Sequence, residues 1–143
     1  MIITNNAKAI NMPRDPLVEL VLTGGEVNDR KQSLVGDFAI HTLSKVSATK
    51  CFVGASGISA EGGVTTSVLQ ETAINDLMLN RCNGKRIVVA DSSKVGKENN
   101  FVSSESRRIT HLITDSDADP ASVEALKRIG VEVVLANPEE RTD

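Results

Sequence analysis

Side chains that could bind a small polar molecule gather in four short segments, each directly after an apolar run. The segments are Thr4-Asn5-Asn6, Thr23-Gly24-Gly25, Gly54-Ala55-Ser56-Gly57 and Asp91-Ser92-Ser93-Lys94-Val95-Gly96. Glycine lets the backbone approach a ligand closely, and successive amides in such loops form concavities that bind anions. Lys94 would supply a point charge to a phosphate, and Ser92 and Ser93 would donate neutral hydrogen bonds. The segments therefore indicate a small anionic ligand. The alternative interpretation is that the glycines only form tight turns and that Lys94 is solvated.

Other kinds of chemistry lack their sequence motifs. No Gly-x-Gly-x-x-Gly follows an apolar run and no Gly-x-x-x-x-Gly-Lys-Ser/Thr occurs, which argues against dinucleotide and P-loop sites. His41 and His111 have no evident nucleophile partner, so a Ser-His-Asp hydrolase is unsupported. Cys51 and Cys82 do not show the paired spacing of a zinc site and are predicted to be reduced, structural thiols. We expect neither a cofactor nor a metal.

Length and composition predict one soluble domain. The chain has 143 residues, of which 40% are hydrophobic, enough for a core without metal or disulfide. A formal net charge of -3 and an aromatic content of 2% argue against direct binding of nucleic acid by this chain. Such binding needs clustered cationic side chains or aromatic rings that stack on bases. No apolar run approaches the length of a membrane span, and the amino terminus lacks a signal-peptide layout. The chain is expected to be cytoplasmic, with no membrane partner.

The pattern of apolar residues predicts strands alternating with helices. Brief runs rich in Val and Ile predict buried strands at residues 1–4, 18–22, 51–53, 87–90, 112–113 and 131–135. A short helix is expected between residues 5 and 15, ending before Pro13. Residues 137–143 are polar and are expected to form a frayed tail.

Three longer helices are predicted from 3.6-residue periodicity. The first spans residues 33–46, with His41 opposite an apolar side made of Val35, Phe38, Ala39, Leu43 and Val46. The second spans 68–81, with Ser67 and Gln70 as a capping box, Gly84 as its stop and an apolar stripe of Leu69, Ala73, Ile74, Leu77 and Met78. The third begins at Asp119-Pro120 and ends at Gly130, and its apolar positions are Val123, Leu126 and Ile129.

These elements predict an α/β fold. Short strand–helix–strand units require right-handed crossovers, and so a three-layer arrangement with a mainly parallel open sheet and helices on both faces. In such a sheet, ligands bind beyond the carboxyl ends of the strands. The four polar segments stand at those ends, so we expect them to line one binding site.

The ordered set of motifs is similar to one protein family. Its members share Leu22-Thr23-Gly24-Gly25, Ser33-Leu34-Val35-Gly36, Gly54-Ala55-Ser56-Gly57-Ile58, Gly63-Val64-Thr65-Thr66, Ala90-Asp91-Ser92-Ser93-Lys94-Val95-Gly96 and Ile109-Thr110-His111-Leu112-Ile113-Thr114-Asp115 as they stand in this chain. The chain resembles the C-terminal sensor domain of DeoR-family transcriptional regulators over nearly its whole length. The resemblance implies a fold similar to ribose-5-phosphate isomerase and a regulator, expected to be a repressor, of carbohydrate catabolism whose effector is a phosphorylated sugar.

The resemblance also implies which residues bind that effector. Thr4 and Asn5 match a Thr-Asn turn on the ligand side of the family's binding pocket, and Gly24 and Gly25 match a second wall of that pocket. Ser56 and Gly57 stand in the loop that aligns with acidic isomerase positions, and Glu71 matches a retained carboxylate. The Asp-Ser-Ser-Lys loop on the phosphate side corresponds to Asp91, Ser92, Ser93 and Lys94.

Two family features are absent from the sequence. The N-terminal winged helix-turn-helix is missing, and so is the Asp-x-Gly-Ser/Thr-type loop that would cradle phosphate in the family. The resemblance therefore implies a single sensing and oligomerisation domain, residues 1–143, cut from a longer regulator. Operator DNA would be a partner only through the absent N-terminal domain, and a second copy of the chain is expected as a partner in a homo-oligomer.

Two alternative functions remain open from the residues. An aldose–ketose phosphate isomerase would need a general base and a group that stabilises an enediolate, and Glu71 and Lys94 could take these roles. The loop from Gly54 has no carboxylate before Glu61, however, so we expect no enzyme activity. A ligand-free interaction module is the other alternative, and the convergence of polar residues on strand ends argues against it.

Overall fold

A computed structural model describes residues 1–136, so the tail expected at residues 137–143 lies outside the described part of the chain. The chain divides into two compact units, Met1–Val46 and a second unit that begins at Ser47. Each unit is described below by itself.

The first unit pairs two parallel and two antiparallel strands. Its elements are β1 (Ile2–Thr4), β2 (Leu20–Leu22), β3 (Glu26–Asn28), β4 (Ser33–Val35) and α1 (Asp37–Ser44). Strands β1 and β2 run parallel, with Ile2 opposite Leu20, whereas β3 and β4 form an antiparallel pair. The short helix expected before Pro13 is confirmed as a 3-10 helix at Ala7–Asn11. The first strand is not buried as expected, because Met1 and Ile2 are 74% and 49% exposed.

The second unit contains a four-stranded parallel sheet and a three-stranded antiparallel sheet. Its elements are β5 (Ala48–Gly54), β6 (Gly57–Ser59), β7 (Gly63–Thr66), α2 (Leu69–Asn80), β8 (Cys82–Val89), β9 (Phe101–Ser104), β10 (His111–Asp115), α3 (Pro120–Arg128) and β11 (Glu132–Ala136). The parallel sheet has the strand order β11-β10-β8-β5, and the antiparallel sheet has the order β6-β7-β9.

The core of the second unit lies between the parallel sheet and two helices. Val53, Val88 and Leu112 stand opposite one another on β5, β8 and β10, so their side chains point to the same face of the sheet. They share one buried cluster with Leu79 of α2 and Leu126 of α3. This arrangement is why short runs of Val and Ile could be recognised as strands. The predicted α/β class with a mainly parallel sheet is confirmed, in keeping with three layers.

The predicted helix over residues 33–46 is wrong at its start. Residues Ser33–Val35 form β4, and α1 begins only after Gly36, whose φ of 85° breaks the helical path. The apolar spacing misled the prediction, because Val35 belongs to the strand and Phe38 is 78% exposed. Ala39 and Leu43 are buried and His41 is exposed, as predicted.

Helix α2 matches its predicted extent within a residue at each end, but the residues predicted to cap and to stop it do not do so. No side chain caps Val68, the residue before the helix, so the expected Ser67–Gln70 capping box is wrong. Leu69 and Ala73 of the predicted apolar stripe are exposed, whereas Ile74 is buried.

Gly84 does not stop a helix, because it lies inside β8. An ideal Cβ atom at this position would stand 2.1 Å from the carbonyl oxygen of Thr49 on β5. The residue is therefore glycine because two strand backbones approach closely there.

The last helix follows its sequence signals. Asp119 caps α3 by accepting a hydrogen bond from the Ser122 amide at 2.9 Å, and Pro120 occupies the first helical position. Val123 and Leu126 are buried, and β11 follows soon after Gly130. No helix within residues 1–136 has both the length and the apolar character needed to cross a membrane.

Candidate functional site

The predicted binding residues lie where the sequence analysis placed them relative to the strands. Thr4 and Asn5 stand at the end of β1, and Gly24 and Gly25 follow β2 in the first unit. The remaining seven belong to the second unit, after β5, in α2 and after β8; they are Ser56, Gly57, Glu71, Asp91, Ser92, Ser93 and Lys94.

The Thr-Asn turn after β1 is tied to its neighbours by backbone and side-chain bonds. The Thr4 hydroxyl accepts a hydrogen bond from the Asn6 amide at 3.1 Å. The Asn5 side-chain amide donates to the Leu34 carbonyl at 3.2 Å, and the Asn5 carbonyl accepts from the Leu34 amide at 2.7 Å. Asn5 therefore anchors β1 to β4 in addition to standing at a strand end.

The two glycines after β2 differ in their surroundings. Both have positive φ, 72° at Gly24 and 111° at Gly25. An ideal Cβ atom at Gly25 would lie 2.3 Å from the Val35 carbonyl oxygen, so this glycine is needed for packing. The same atom at Gly24 would meet nothing within 4 Å. Gly24 is therefore the one of the pair that borders open space.

The loop after β5 is held from several sides. The Gly57 carbonyl accepts the Thr65 hydroxyl at 3.0 Å, and an ideal Cβ atom on Gly57 would lie 2.5 Å from the Lys97 carbonyl oxygen. The Ser56 carbonyl accepts the Asn99 side-chain amide at 2.9 Å. Gly57 is buried whereas Ser56 is half-buried, so Ser56 is the residue of this pair that can present a side chain to a ligand.

Glu71 lies in the first turn of α2, where the helix dipole favours a carboxylate. Its Oε2 atom accepts the Thr66 hydroxyl at 3.2 Å. The same hydroxyl oxygen accepts the Val68 amide at 3.1 Å. Glu71 is therefore bonded to the end of β7.

The loop after β8 forms a 3-10 turn, Ser92–Lys94, with its own ion pair. The Lys94 ammonium lies 2.9 Å from the Asp91 carboxylate, and the two side chains are 40% and 52% exposed. The Ser93 amide donates to Asp91 at 3.0 Å, and the Ser93 hydroxyl donates to the same carboxylate oxygen. The Ser93 hydroxyl, and after it Lys94, lowers the pKa of Asp91 from 3.8 to about 2. The carboxylate is therefore ionised at neutral pH.

Asp115, at the end of β10, completes this loop. Its Oδ2 atom accepts the Ser92 amide at 2.7 Å and its Oδ1 atom accepts the Asp117 amide at 3.1 Å. The hydrogen bond from the Ser92 amide is the main cause that lowers the pKa of Asp115. Two carboxylates therefore hold the backbone amides of Ser92 and Ser93, which the sequence analysis had offered to the ligand.

The structure brings the loops after β5 and β8 to one edge of the parallel sheet. Gly54 stands opposite Val89 at the ends of these neighbouring strands. Beyond them, the Gly96 amide donates to the Ile58 carbonyl at 2.8 Å. Ser56 follows β5, Asp91 follows β8 and Asp115 is the last residue of β10, and these are three neighbouring strands of the parallel sheet.

Sequence reasoning missed three residues that shape this edge: Thr66, Asn99 and Asp115. Asp115 could have been found, because it lies just after the predicted strand at residues 112–113 and ends one of the family motifs. Thr66 lies in one of the family motifs. Its hydrogen bond to Glu71 depends on how the chain turns from β7 into α2, which the sequence does not show. For Asn99 the sequence offers no signal, since its bond to Ser56 spans 43 residues.

A separate open cavity of about 860 Å³ lies in the second unit between the β6–β7 turn and α3. It contains none of the predicted binding residues. Charged side chains of both signs line it: Glu61, Glu98, Glu105, Arg107 and Arg128. Within residues 1–136, no group of three or more His, Cys, Asp or Glu side chains is placed to hold a metal ion.

Comparison with known families is decisive. Residues 1–116 match the family described as the DeoR C-terminal sensor domain. The chain belongs to this family. The DeoR-type sensor thus identified carries its family match across the first unit and across β5 to β10 of the second.

Curated relatives of this DeoR-type sensor are regulators of transcription. An Escherichia coli O157:H7 protein named as an aga operon transcriptional repressor is 35% identical over 82% of this chain and 44% of its own length. The Haloferax volcanii regulator GlpR is 32% identical over 81% of this chain and 45% of its own. The Bacillus subtilis repressor GlcR is 29% identical over 99% of this chain and 55% of its own. The chain spans about half the length of the curated relatives it matches.

Proposed function

We propose that this chain is the effector-binding domain of a bacterial repressor of carbohydrate catabolism, and that its effector is a phosphorylated sugar. The observation that carries the proposal is the loop from Asp91 to Lys94, which holds a carboxylate, a hydroxyl and an ammonium together after β8, the strand that pairs with the one preceding Ser56. Relatives named as an aga operon repressor and a lactose phosphotransferase system repressor support the link to sugars.

Each group in the second unit has a chemical role suited to a sugar phosphate. The Lys94 ammonium is a point charge for the phosphate, and the Asp91 carboxylate, once released, accepts hydrogen bonds from sugar hydroxyls. Ser56 and Ser93 add neutral hydroxyl groups. Thr4, Asn5 and Gly24 belong to the first unit, where each stands at or just after the end of a strand, and they remain predicted binding residues on the basis of the sequence.

The mechanism is linkage between ligand binding and conformation. A sugar phosphate that binds one conformation of the sensor more tightly shifts the population towards it. A preference of ~10- to 100-fold corresponds to about 1.4–2.7 kcal/mol, which is enough for regulation without catalysis. The shift would change how an attached DNA-binding domain meets its operator. We place the regulator in the cytoplasm as a homo-oligomer, in which DNA is contacted outside this chain.

A thermal-shift screen tests the proposal. The chain is heated with sugar phosphates, the matching free sugars and inorganic phosphate. At a ligand concentration of 100 times Kd, the expected stabilisation is about 2.7 kcal/mol, or about 4 °C or more. Equal shifts from a sugar phosphate and its free sugar would contradict the role of the phosphate as the main anchor.

Lys94→Ala tests the site itself. Lys127 offers a matched control, because it pairs with Glu124 at 3.0 Å across the same three-residue spacing and with similar exposure. We expect Lys94→Ala to lose the phosphate-dependent shift and Lys127→Ala to keep it. An unaltered shift in Lys94→Ala would refute the site.

A further inference from the structure

Asp115 is the contact through which a different strand holds the loop from Asp91 to Lys94. Its carboxylate accepts the Ser92 amide at 2.7 Å, a short distance for a hydrogen bond from a backbone amide. A second bond, from the Asp117 amide at 3.1 Å, fixes the carboxylate from the other side. The side chain of Asp115 is therefore held between two loops, one after β8 and one after β10.

The loop depends on a small number of such contacts. It is a single 3-10 turn of three residues, and its other cap is the Asp91 side chain inside the same loop. A turn this short has little regular hydrogen bonding of its own to fix its shape. The bond from Ser92 to Asp115 spans 23 residues and ties the loop to the neighbouring strand of the sheet.

Resting on the function proposed above, we propose that Asp115 is a positioning residue for the effector: it holds the Ser92 amide so that Ser93 and Lys94 face the anion. Without this bond the 91–94 loop keeps its internal cap from Asp91 and the bond from the Gly96 amide to the Ile58 carbonyl, but it loses its tie to β10, and we expect it to be less well ordered. The cost of ordering the loop is then added to the cost of binding the ligand.

The carboxylate also has an opposite effect, because its negative charge repels an approaching phosphate. Asparagine removes the charge and keeps the acceptor that the loop needs. Its side-chain oxygen can still accept the Ser92 amide, while its NH2 group replaces the oxygen that accepts the Asp117 amide. Alanine removes both the acceptor and the charge. The two substitutions are therefore expected to change ligand binding in opposite directions, which a purely structural role would not do.

The experiment measures the binding of inorganic phosphate and of the sugar phosphates that stabilise the wild-type chain. Asp115→Asn is expected to bind these anions about two- to three-fold more tightly, the size of effect for one charge several ångströms away in a water-rich site. Asp115→Ala is expected to bind them about five-fold or more weakly. Asp117→Asn is the control: within residues 1–136 its carboxylate accepts no hydrogen bond, and we expect a smaller change than in Asp115→Asn.

Two further measurements keep the outcomes apart. The melting temperature without ligand shows that each variant folds, and the amide resonance of Ser92 reports whether the loop is held. Suppose that the wild-type chain binds these anions. Unchanged affinity in Asp115→Ala, or equal losses of affinity in both Asp115 variants, would then overturn the role of Asp115 and leave the proposed function standing. Absence of any anion binding by the wild-type chain would overturn the proposed function, and the role of Asp115 in it.

Discussion

The Nζ atom of Lys94 lies 2.9 Å from the Oδ2 atom of Asp91, so the one lysine of the loop already has an anionic partner. A phosphate that binds there has to take the ammonium away from a carboxylate. Its affinity is therefore the difference between two charge pairs. Because both side chains are about half exposed, the pair is screened by water and the exchange is accessible to a ligand.

The titration of Asp91 tests this pair directly. Its pKa is lowered from 3.8 to about 2, first by the Ser93 hydroxyl and then by Lys94. The lowered pKa of Asp91 therefore adds to the unfolding free energy. This contribution is complete at pH values above about 3.8 and is lost as the pH falls through about 2. We expect Ser93→Ala and Lys94→Ala each to raise the pKa of Asp91. Carboxyl carbon shifts in an NMR titration measure both changes, and an unchanged pKa in either variant would contradict the corresponding contact.

The two thiols of the core should be unreactive in the folded protein. Burial is the main cause that raises the pKa of Cys51 to about 12, and Cys51 and Cys82 are only 7% and 3% exposed. Thiolate is the reactive form, so modification by a disulfide reagent at pH 8 is expected to be slow until the chain is unfolded. The folded protein and the protein in denaturant are compared in the same assay. Rapid reaction of either thiol in the folded protein would be incompatible with this core.

Glycine at position 84 is expected to be essential for the pairing of β5 with β8. A methyl group there would lie 2.1 Å from the Thr49 carbonyl oxygen, a contact that requires the strands to move. We expect Gly84→Ala to cost about 1–3 kcal/mol or more in unfolding free energy, measured by urea denaturation. Gly54→Ala is the matched control, since its added carbon meets nothing within 4 Å. Similar losses in both variants would show that strand approach is not the reason.

Leu126 is expected to carry a large share of the contact between α3 and the sheet. It is 0% exposed, whereas Leu69 on α2 is 63% exposed. Leu126→Ala should therefore lower the unfolding free energy by about 2–5 kcal/mol, and Leu69→Ala should change it by less than about 0.5 kcal/mol. The same denaturation measurement decides both. A neutral Leu126→Ala would mean that α3 does not pack as described.

The parallel strands and two of the helices could be predicted because their signals are local. Val88 and Leu112 belong to short apolar runs, and the cap and proline at Asp119 and Pro120 mark a helix by themselves. By contrast, β6, β7 and β9 were missed. The buried residues of these strands include the polar Thr65 and Ser103, so the composition of the three segments resembles that of a loop. Only pairing across the sheet shows that they are strands.

The candidate site divides in the same way. That Asp91 and Lys94 follow a strand could be inferred from sequence, because the carboxyl ends of parallel strands meet at one edge. That Asp91 neutralises Lys94, and that Asp115 occupies the Ser92 amide, could not. These bonds depend on side-chain positions within about an ångström, which residue types and spacing do not define.

Helix α2 is joined to the parallel sheet almost without a connecting loop. It begins beside the bond between Thr66 and Glu71, and Arg81 alone separates its last residue from β8. Twelve helical residues span about 18 Å. Because a single residue joins the helix to the strand, little conformational freedom remains at this junction. We expect a displacement of α2 along its axis to move the start of β8 with it.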